Sequence, residues 1–259
     1  MNNWSPIIPK AGDDPWELAM RCNALYECPK DASGKRLGPL VPYAGKDAKG
    51  RNLVGDVYFN FARIEEYPLV VHYFAELLMP KIFSNAGVVA HASTLIGIPD
   101  GGRSLGQMVA LVCKKRFVYP AKVKRPTPAG AIKEEYDLVF KRFELSAGEP
   151  VIVCDDVHNN FQNTDDILNE IGKTGAKVVA LCSGLNRSPI VDSIYVPKAG
   201  MYAGFSLPVV SAIRKPLLEY EQDDPAVAAD FSAGNIERNV KANWAKLKEI
   251  ILAARGPAG

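Results

Sequence analysis

The chain has 259 residues, 47% of them hydrophobic, which is enough to bury a large core and too apolar for a disordered or peptide-sized module. Lys and Arg number 31 against 29 Asp and Glu, a net charge of +2, so a polyanion-binding face spread over the whole surface is excluded and no nucleic-acid partner is expected. The five cysteines form no C-x-x-C pair, the opening MNNWSPIIPK lacks a basic stretch leading into an apolar one, and no run of about 18 apolar residues occurs; a reducing, cytoplasmic setting with no membrane span is expected.

In chain order, the first sixty-odd residues mix Pro, Gly and charge and end in VYFNFARI (57–64), whose aromatics and alternation predict a strand. From Pro68 to Phe83 the apolar positions Val70, Val71, Phe74, Leu77 and Leu78 keep helical spacing. GVVAHAS (87–93) predicts a short buried strand, followed by the Gly-rich turn GIPDGG and a helix over 104–115. RFVYPAK (116–122) is the next predicted strand, KRPTPAGAIKEEYD (124–137) a surface loop, and LVFKRFEL (138–145) a further strand. VIVCDD (151–156), a helix over 164–173 and KVVALCSGL (177–185) form a strand, helix and strand in succession; both strands are apolar on each face, as in a parallel α/β unit. The tail from Ile236 shows one apolar stripe, Ile236, Val240, Trp244, Leu247 and Ile251, and predicts a helix packing on the core.

Ligands of open parallel sheets sit beyond the carboxyl ends of the strands. Asp155 and Asp156 are expected at such an end, directly ahead of a helix whose free N–H groups and positive dipole end suit a phosphate. Carboxylates accept hydrogen bonds from vicinal ribose hydroxyls and stabilise an oxocarbenium-like transition state, so the pairing points to a sugar phosphate. The alternative on spacing alone is that the two aspartates merely cap a strand.

VIVCDDV followed by a polar turn and helix resembles the phosphoribosyl pyrophosphate (PRPP) signature of type I phosphoribosyltransferases. Five further stretches resemble the orotate phosphoribosyltransferase branch in the right order. VVAHASTLIGIP (88–99) is similar to its pyrophosphate loop, VYPAKVKR (118–125) to the segment entering its mobile catalytic loop, ALCSGLNRS (180–188) to its strand ending in an arginine, and DVYFNFARIEEYP with PVVSAIRKPLLEY to its hood strand and C-terminal segment. The resemblance implies a parallel twisted sheet flanked by helices (residues 67–259, with a C-terminal helix) under a small N-terminal hood (residues 1–66). It implies Asp155 and Asp156 on the ribose hydroxyls, and a 5′-phosphate cradle of Asn159, Asn160, Phe161, Gln162, Asn163 and Thr164. A pyrophosphate loop of Ser93, Thr94, Leu95, Ile96 and Gly97 follows from it, together with Lys122, Lys124 and Arg125 on the leaving pyrophosphate and Arg187 on an acidic base. The implied reactants are PRPP and a nucleobase such as orotate. The implied assistant is Mg²⁺ held mainly by substrate oxygens, and the implied assembly is a homodimer with shared active sites.

Where the family has a Thr-Gly or Thr-x-Gly turn after the acid pair, this chain has HNNFQNT, and only its asparagines tolerate left-handed backbone angles well. Asp165 and Asp166 bring two negative charges to the first turn of the helix that would hold the phosphate. Ala121 and Asn186 stand where the branch has an arginine and an aspartate. A PRPP- or nucleotide-binding regulator of the same fold is therefore the rival to the enzyme, and an RNA-binding relative would need an aromatic and basic stripe that the sequence lacks.

Overall fold

The computed structural model describes residues 5–84, 91–124 and 136–255. The chain divides into two compact units, one of Met1–Ala11 with Tyr67–Lys215 and one of Gly12–Glu66 with Pro216–Gly259.

The first unit contains α1 (Pro68–Ser84), β1 (Thr94–Gly97), α2 (Gly101–Cys113), β2 (Arg116–Val118), β3 (Ala121–Lys124), β4 (Tyr136–Val139), β5 (Pro150–His158), α3 (Gln162–Thr174), β6 (Lys177–Asn186), β7 (Ile194–Tyr195) and β8 (Leu207–Arg214). A six-stranded sheet runs in the order β7-β8-β6-β5-β1-β2, parallel throughout except for the antiparallel edge strand β7. The expected parallel α/β sheet flanked by helices is present. Its central strands are apolar on both faces because both faces are covered. Helix α2 packs on β1, β5 and β6, with α1 against it, and α3 packs on β6 and on the separate β3–β4 hairpin. Ile167, Leu168 and Ile171 of α3 bury one stripe against Ile96, Val151, Val153 and Leu181, and each such side chain contributes about 1.5–3 kcal/mol of hydrophobic stabilisation.

Several predicted elements change at their edges. RFVYPAK is two strands: β2 joins the main sheet, and after Pro120, which has no N–H to give a ladder, β3 leaves it to pair with β4. LVFKRFEL keeps strand geometry only to Val139, and VYFNFARI only over Val57–Phe59, where Asn60 opens a short helix, Phe61–Glu65. Most of the predicted strand 87–93 and most of the loop 124–137 lie outside the described residues. Strand structure starts at Thr94.

Among its described residues the second unit holds two small antiparallel strand pairs: Leu25–Glu27 pairs with Val57–Phe59, and Val41–Lys46 with Asn52–Gly55. Arg36, with only 8% of its side chain exposed, bridges Asp56 and Asp230 and ties the two halves of this unit. The apolar stripe predicted from Ile236 becomes helical only at Trp244–Arg255, and Trp244 and Leu247 pack with Tyr26 and Val41 inside this unit. Residues 236–240 form a bridge to Leu40 and turns, with Val240 still buried in the same cluster. Among the described residues no helix is long and apolar enough to cross a membrane.

Candidate active site at the carboxyl end of the parallel sheet

Strand β5 continues to His158, so the acid pair lies two residues inside the strand and not at its end. Side chains alternate along it, which puts Asp156 with Ile152 and Cys154 on the face covered by α2. The Gly-rich turn after β1 closes onto this face. A Cβ built on Gly101 would lie 2.1 Å from Asp156 Oδ2, and one on Gly102 would lie 2.4 Å from the Cys154 carbonyl oxygen. Only residues without a side chain let the turn and the acid pair approach this closely. Ile98 N–H donates to the Cys154 carbonyl at 2.8 Å and locks the turn to the strand.

Asp155 is buried, 5% exposed, and its Oδ1 accepts the Asp156 N–H at 2.9 Å. Burial, and next the neighbouring Asp156 charge, push its carboxyl well above the usual range, while Lys122 acts in the opposite direction. Asp156 is half-buried, and its Oδ1 accepts the Val157 N–H at 2.9 Å. The two carboxylates are thus unequal: one inside the protein, one partly exposed.

The expected pyrophosphate loop at Ser93–Gly97 is corrected. Thr94–Gly97 is strand β1, with its backbone in the sheet between β5 and β2, and Ser93 and Thr94 bond Glu149 at the amino end of the sheet, away from the acid pair. Thr, Leu and Ile are strand formers, and the chain first leaves the ladder at Ile98 and Pro99. The turn that meets Asp156 is Pro99-Asp100-Gly101-Gly102, visible in the sequence as GIPDGG yet not connected there to the acid pair.

The predicted cradle is a left-handed turn into α3. Phe161 takes φ +61° and ψ +16°, the region that glycine usually fills. Its ring is 3% exposed and buried in the core, stacked on His158 at 4.6 Å and on Tyr195 at 4.3 Å between ring centroids. A buried aromatic sandwich offsets the cost of the left-handed backbone, about 1–2 kcal/mol, so the bend is kept without a glycine. Asn160 Oδ1 accepts the Gln162 N–H at 3.3 Å, and the Asn163 and Thr164 N–H groups precede the first i→i−4 bond, Asp165 N–H to Phe161 C=O. Asp165 does not compete for them unaided: Tyr195 O–H donates to its Oδ1 at 2.7 Å, and burial pushes its carboxyl up.

Buried polar atoms cluster at this turn. Both amide atoms of Asn159, both ring nitrogens of His158 and the Thr164 hydroxyl have no hydrogen-bond partner among the described residues. No motif in the sequence singles out His158, and only its position behind Phe161 links it to the site. Full burial pushes its imidazole down to about 3. A depressed histidine contributes stability that is present above its unfolded value of about 6.5 and lost as pH falls toward 3. We expect thermal unfolding followed between about pH 7 and 4 to fall less steeply for His158→Phe than for the unsubstituted chain. Parallel curves would mean that His158 is hydrated or partnered.

Strand β6 ends beside this turn, its Asn186 opposite His158, and Arg187 N–H donates to the His158 carbonyl at 3.0 Å. Arg187 is buried, 7% exposed, at the carboxyl edge of the sheet. Asn186, in the place of an expected aspartate, ties the following turn through Ser188 N–H and the Val191 and Asp192 carbonyls. On β3, Lys122 and Lys124 share one exposed face, and Lys122 Nζ lies 3.0 Å from Asp100 Oδ2 of the same chain. Arg125 lies outside the described residues. The fold therefore brings together Asp155, Asp156, the Gly-rich turn and Lys122, and sets the Asn159–Thr164 turn beside Arg187.

No protein-family model matches the chain, and no curated protein matches it. Among solved structures, orotate phosphoribosyltransferase from Aeropyrum pernix is similar with 17% identity and a TM-score of 0.47, over 76% of this chain and 92% of that one. Adenine phosphoribosyltransferase from Trypanosoma brucei, in complex with AMP, pyrophosphate and ribose-5-phosphate, is similar with 14% identity and a TM-score of 0.48, over 93% and 95% of the two chains. Adenine phosphoribosyltransferase from Leishmania donovani gives 14% and 0.48, over 91% and 99%. The parallel sheet flanked by helices described above is the architecture which the sequence resemblance implies.

Proposed function

We propose that this chain is a phosphoribosyltransferase that transfers 5-phosphoribosyl from PRPP to a ring nitrogen of a nucleobase, orotate or a related carboxylated or pyrimidine-like base. The new bond joins that nitrogen to C1′, the C1′–O bond to pyrophosphate breaks with its electron pair leaving on the diphosphate, and the base gives up a proton. The observation that carries this reading is the contact of the Gly-rich turn with Asp156, at the carboxyl end of a parallel sheet and with Lys122 at its rim.

In this reading Asp156 accepts hydrogen bonds from the vicinal ribose hydroxyls, and its charge stabilises the oxocarbenium character developing at C1′. Buried Asp155 fixes the Asp156 backbone from behind. The N–H groups of the turn into α3 hold the 5′-phosphate, those at the start of α2 the pyrophosphate, and Arg187 pairs with an acidic base. Among the described residues no group of three or more His, Cys, Asp or Glu side chains is arranged to hold a metal ion. Magnesium fits this site as an ion that would be carried mainly by diphosphate oxygens, with Asp156 the carboxylate beside it, and when bound it would neutralise the leaving group. We propose a homodimer in the cytoplasm and depart from the expected sharing of sites for Lys122, which serves the site of its own chain because its Nζ stands 3.0 Å from Asp100 Oδ2 of that chain.

Purified protein incubated with PRPP, magnesium and a panel of bases is expected to release pyrophosphate. The rival reading is a PRPP- or nucleotide-binding regulator, favoured by a phenylalanine at the left-handed position of the cradle; it gains if no base supports release while PRPP still raises the unfolding temperature. Lys122→Ala is expected to lower kcat/KM about 10- to 100-fold. Mixing it with a variant lacking both aspartates should restore no activity, because base and acid pair share one chain. Recovery toward a quarter of the normal rate would show that sites are shared between subunits.

A further inference from the structure

We infer, resting on the reading above, that Asp100 occupies the Lys122 ammonium in place of the ligand's diphosphate, and that Lys122 exchanges this carboxylate for pyrophosphate oxygens on binding, so that Asp100 sets the site's affinity for diphosphate-bearing ligands.

Four observations meet here. Asp100 is the N-cap residue of α2, a position where an aspartate ordinarily accepts an N–H of the first helical turn, yet its side chain makes no such bond. The carboxylate reaches instead across to β3, where Lys122 Nζ stands 3.0 Å away. The first N–H groups of α2 are thereby left without an Asp100 cap, at the positive dipole end of the helix, which suits an anion. The Asp100 side chain is 81% exposed and that of Lys122 37%, so their pair is worth less than about tenfold in an equilibrium constant. A diphosphate, with several charged oxygens, outcompetes a single exposed carboxylate for that ammonium.

The competition leaves a cost after it is lost. Once Lys122 has turned to the ligand, the Asp100 charge remains in the turn and repels the same anion. Removing it should help twice, by freeing Lys122 beforehand and by ending the repulsion afterwards.

The test is titration calorimetry of inorganic pyrophosphate into the full chain at low ionic strength, with and without magnesium. Asp100→Asn is expected to bind pyrophosphate about tenfold more tightly than the unsubstituted chain, with a gain that shrinks as salt is raised. In a Lys122→Ala background the same change should gain about threefold or less, because only the repulsion is left to remove. Asp100→Glu should restore the weaker affinity. The unfolding temperature should move by less than about 2 °C, since the pair is exposed. Equal or weaker binding by Asp100→Asn, or a gain of the same size with and without Lys122, overturns the proposal; weaker binding seen only with magnesium overturns it in favour of Asp100 as a metal ligand. If neither pyrophosphate nor PRPP binds any of these proteins, the site reading itself falls along with it.

Discussion

Replacing Asp155 and Asp156 together by asparagine should lower the rate of pyrophosphate release from PRPP by about 10²- to 10³-fold while leaving a folded protein. Asparagine keeps the shape of each side chain and removes the charge that meets the ribose. The two positions are expected to separate in their effects on stability. Asp155 is buried and its carboxyl is held well above its ordinary value, so the folded protein keeps a proton that the unfolded chain has released. That contribution to stability is fully present below the unfolded value of about 3.9 and is lost as pH rises toward the folded one. Asp155→Asn alone should therefore unfold at a higher temperature than the unsubstituted chain near pH 8, with the advantage disappearing toward about pH 4. Asp156→Asn should show the loss of activity with little such gain, as its carboxylate reaches the crevice. Full activity in the double variant would remove the acid pair from the mechanism.

Gly102→Ala should destabilise the first unit by about 1–3 kcal/mol, seen as a fall of roughly 2–4 °C in unfolding temperature for each kcal/mol. The added methyl would stand 2.4 Å from the Cys154 carbonyl oxygen and 2.9 Å from Asp155 Cα, both of them backbone atoms in a central strand that cannot retreat. Alanine's better helix propensity, about 1 kcal/mol, offsets only part of that overlap. Gly101→Ala makes the contrasting case, because its methyl meets a side chain, 2.1 Å from Asp156 Oδ2 and 2.9 Å from its Cβ, and must push the carboxylate off the Val157 N–H that it accepts. It should cost activity more than stability, whereas Gly102→Ala should cost both. If Gly102→Ala proves neutral in thermal unfolding, the close seat of the turn on β5 is wrong.

Much of the site was legible because its chemistry is local. The apolar run into Asp155-Asp156 and the amide-rich bend after it are contiguous, and the bend does lead into a helix. The pyrophosphate loop was misplaced for a specific reason. Ser93–Gly97 was matched to a loop by its neighbours in the resemblance, while Thr94-Leu95-Ile96 has the β-branched and aliphatic character of the strand that it forms. Phe161 stands within the expected cradle. Its ring turns inward to His158 and Tyr195, residues 3 and 34 positions away along the chain, and no local pattern announces such a sandwich.

By itself the sequence determined the class of fold and the identity of the acid pair, since runs of residues apolar on both faces can be satisfied only inside a sheet covered by helices. Tertiary structure alone decided which turn faces Asp156, that Asp155 is the buried partner, and that Lys122 answers to Asp100. Those outcomes depend on two glycines letting one backbone rest on another and on a proline directing β3 out of the main sheet, and each is a matter of distance between segments that are far apart in the chain.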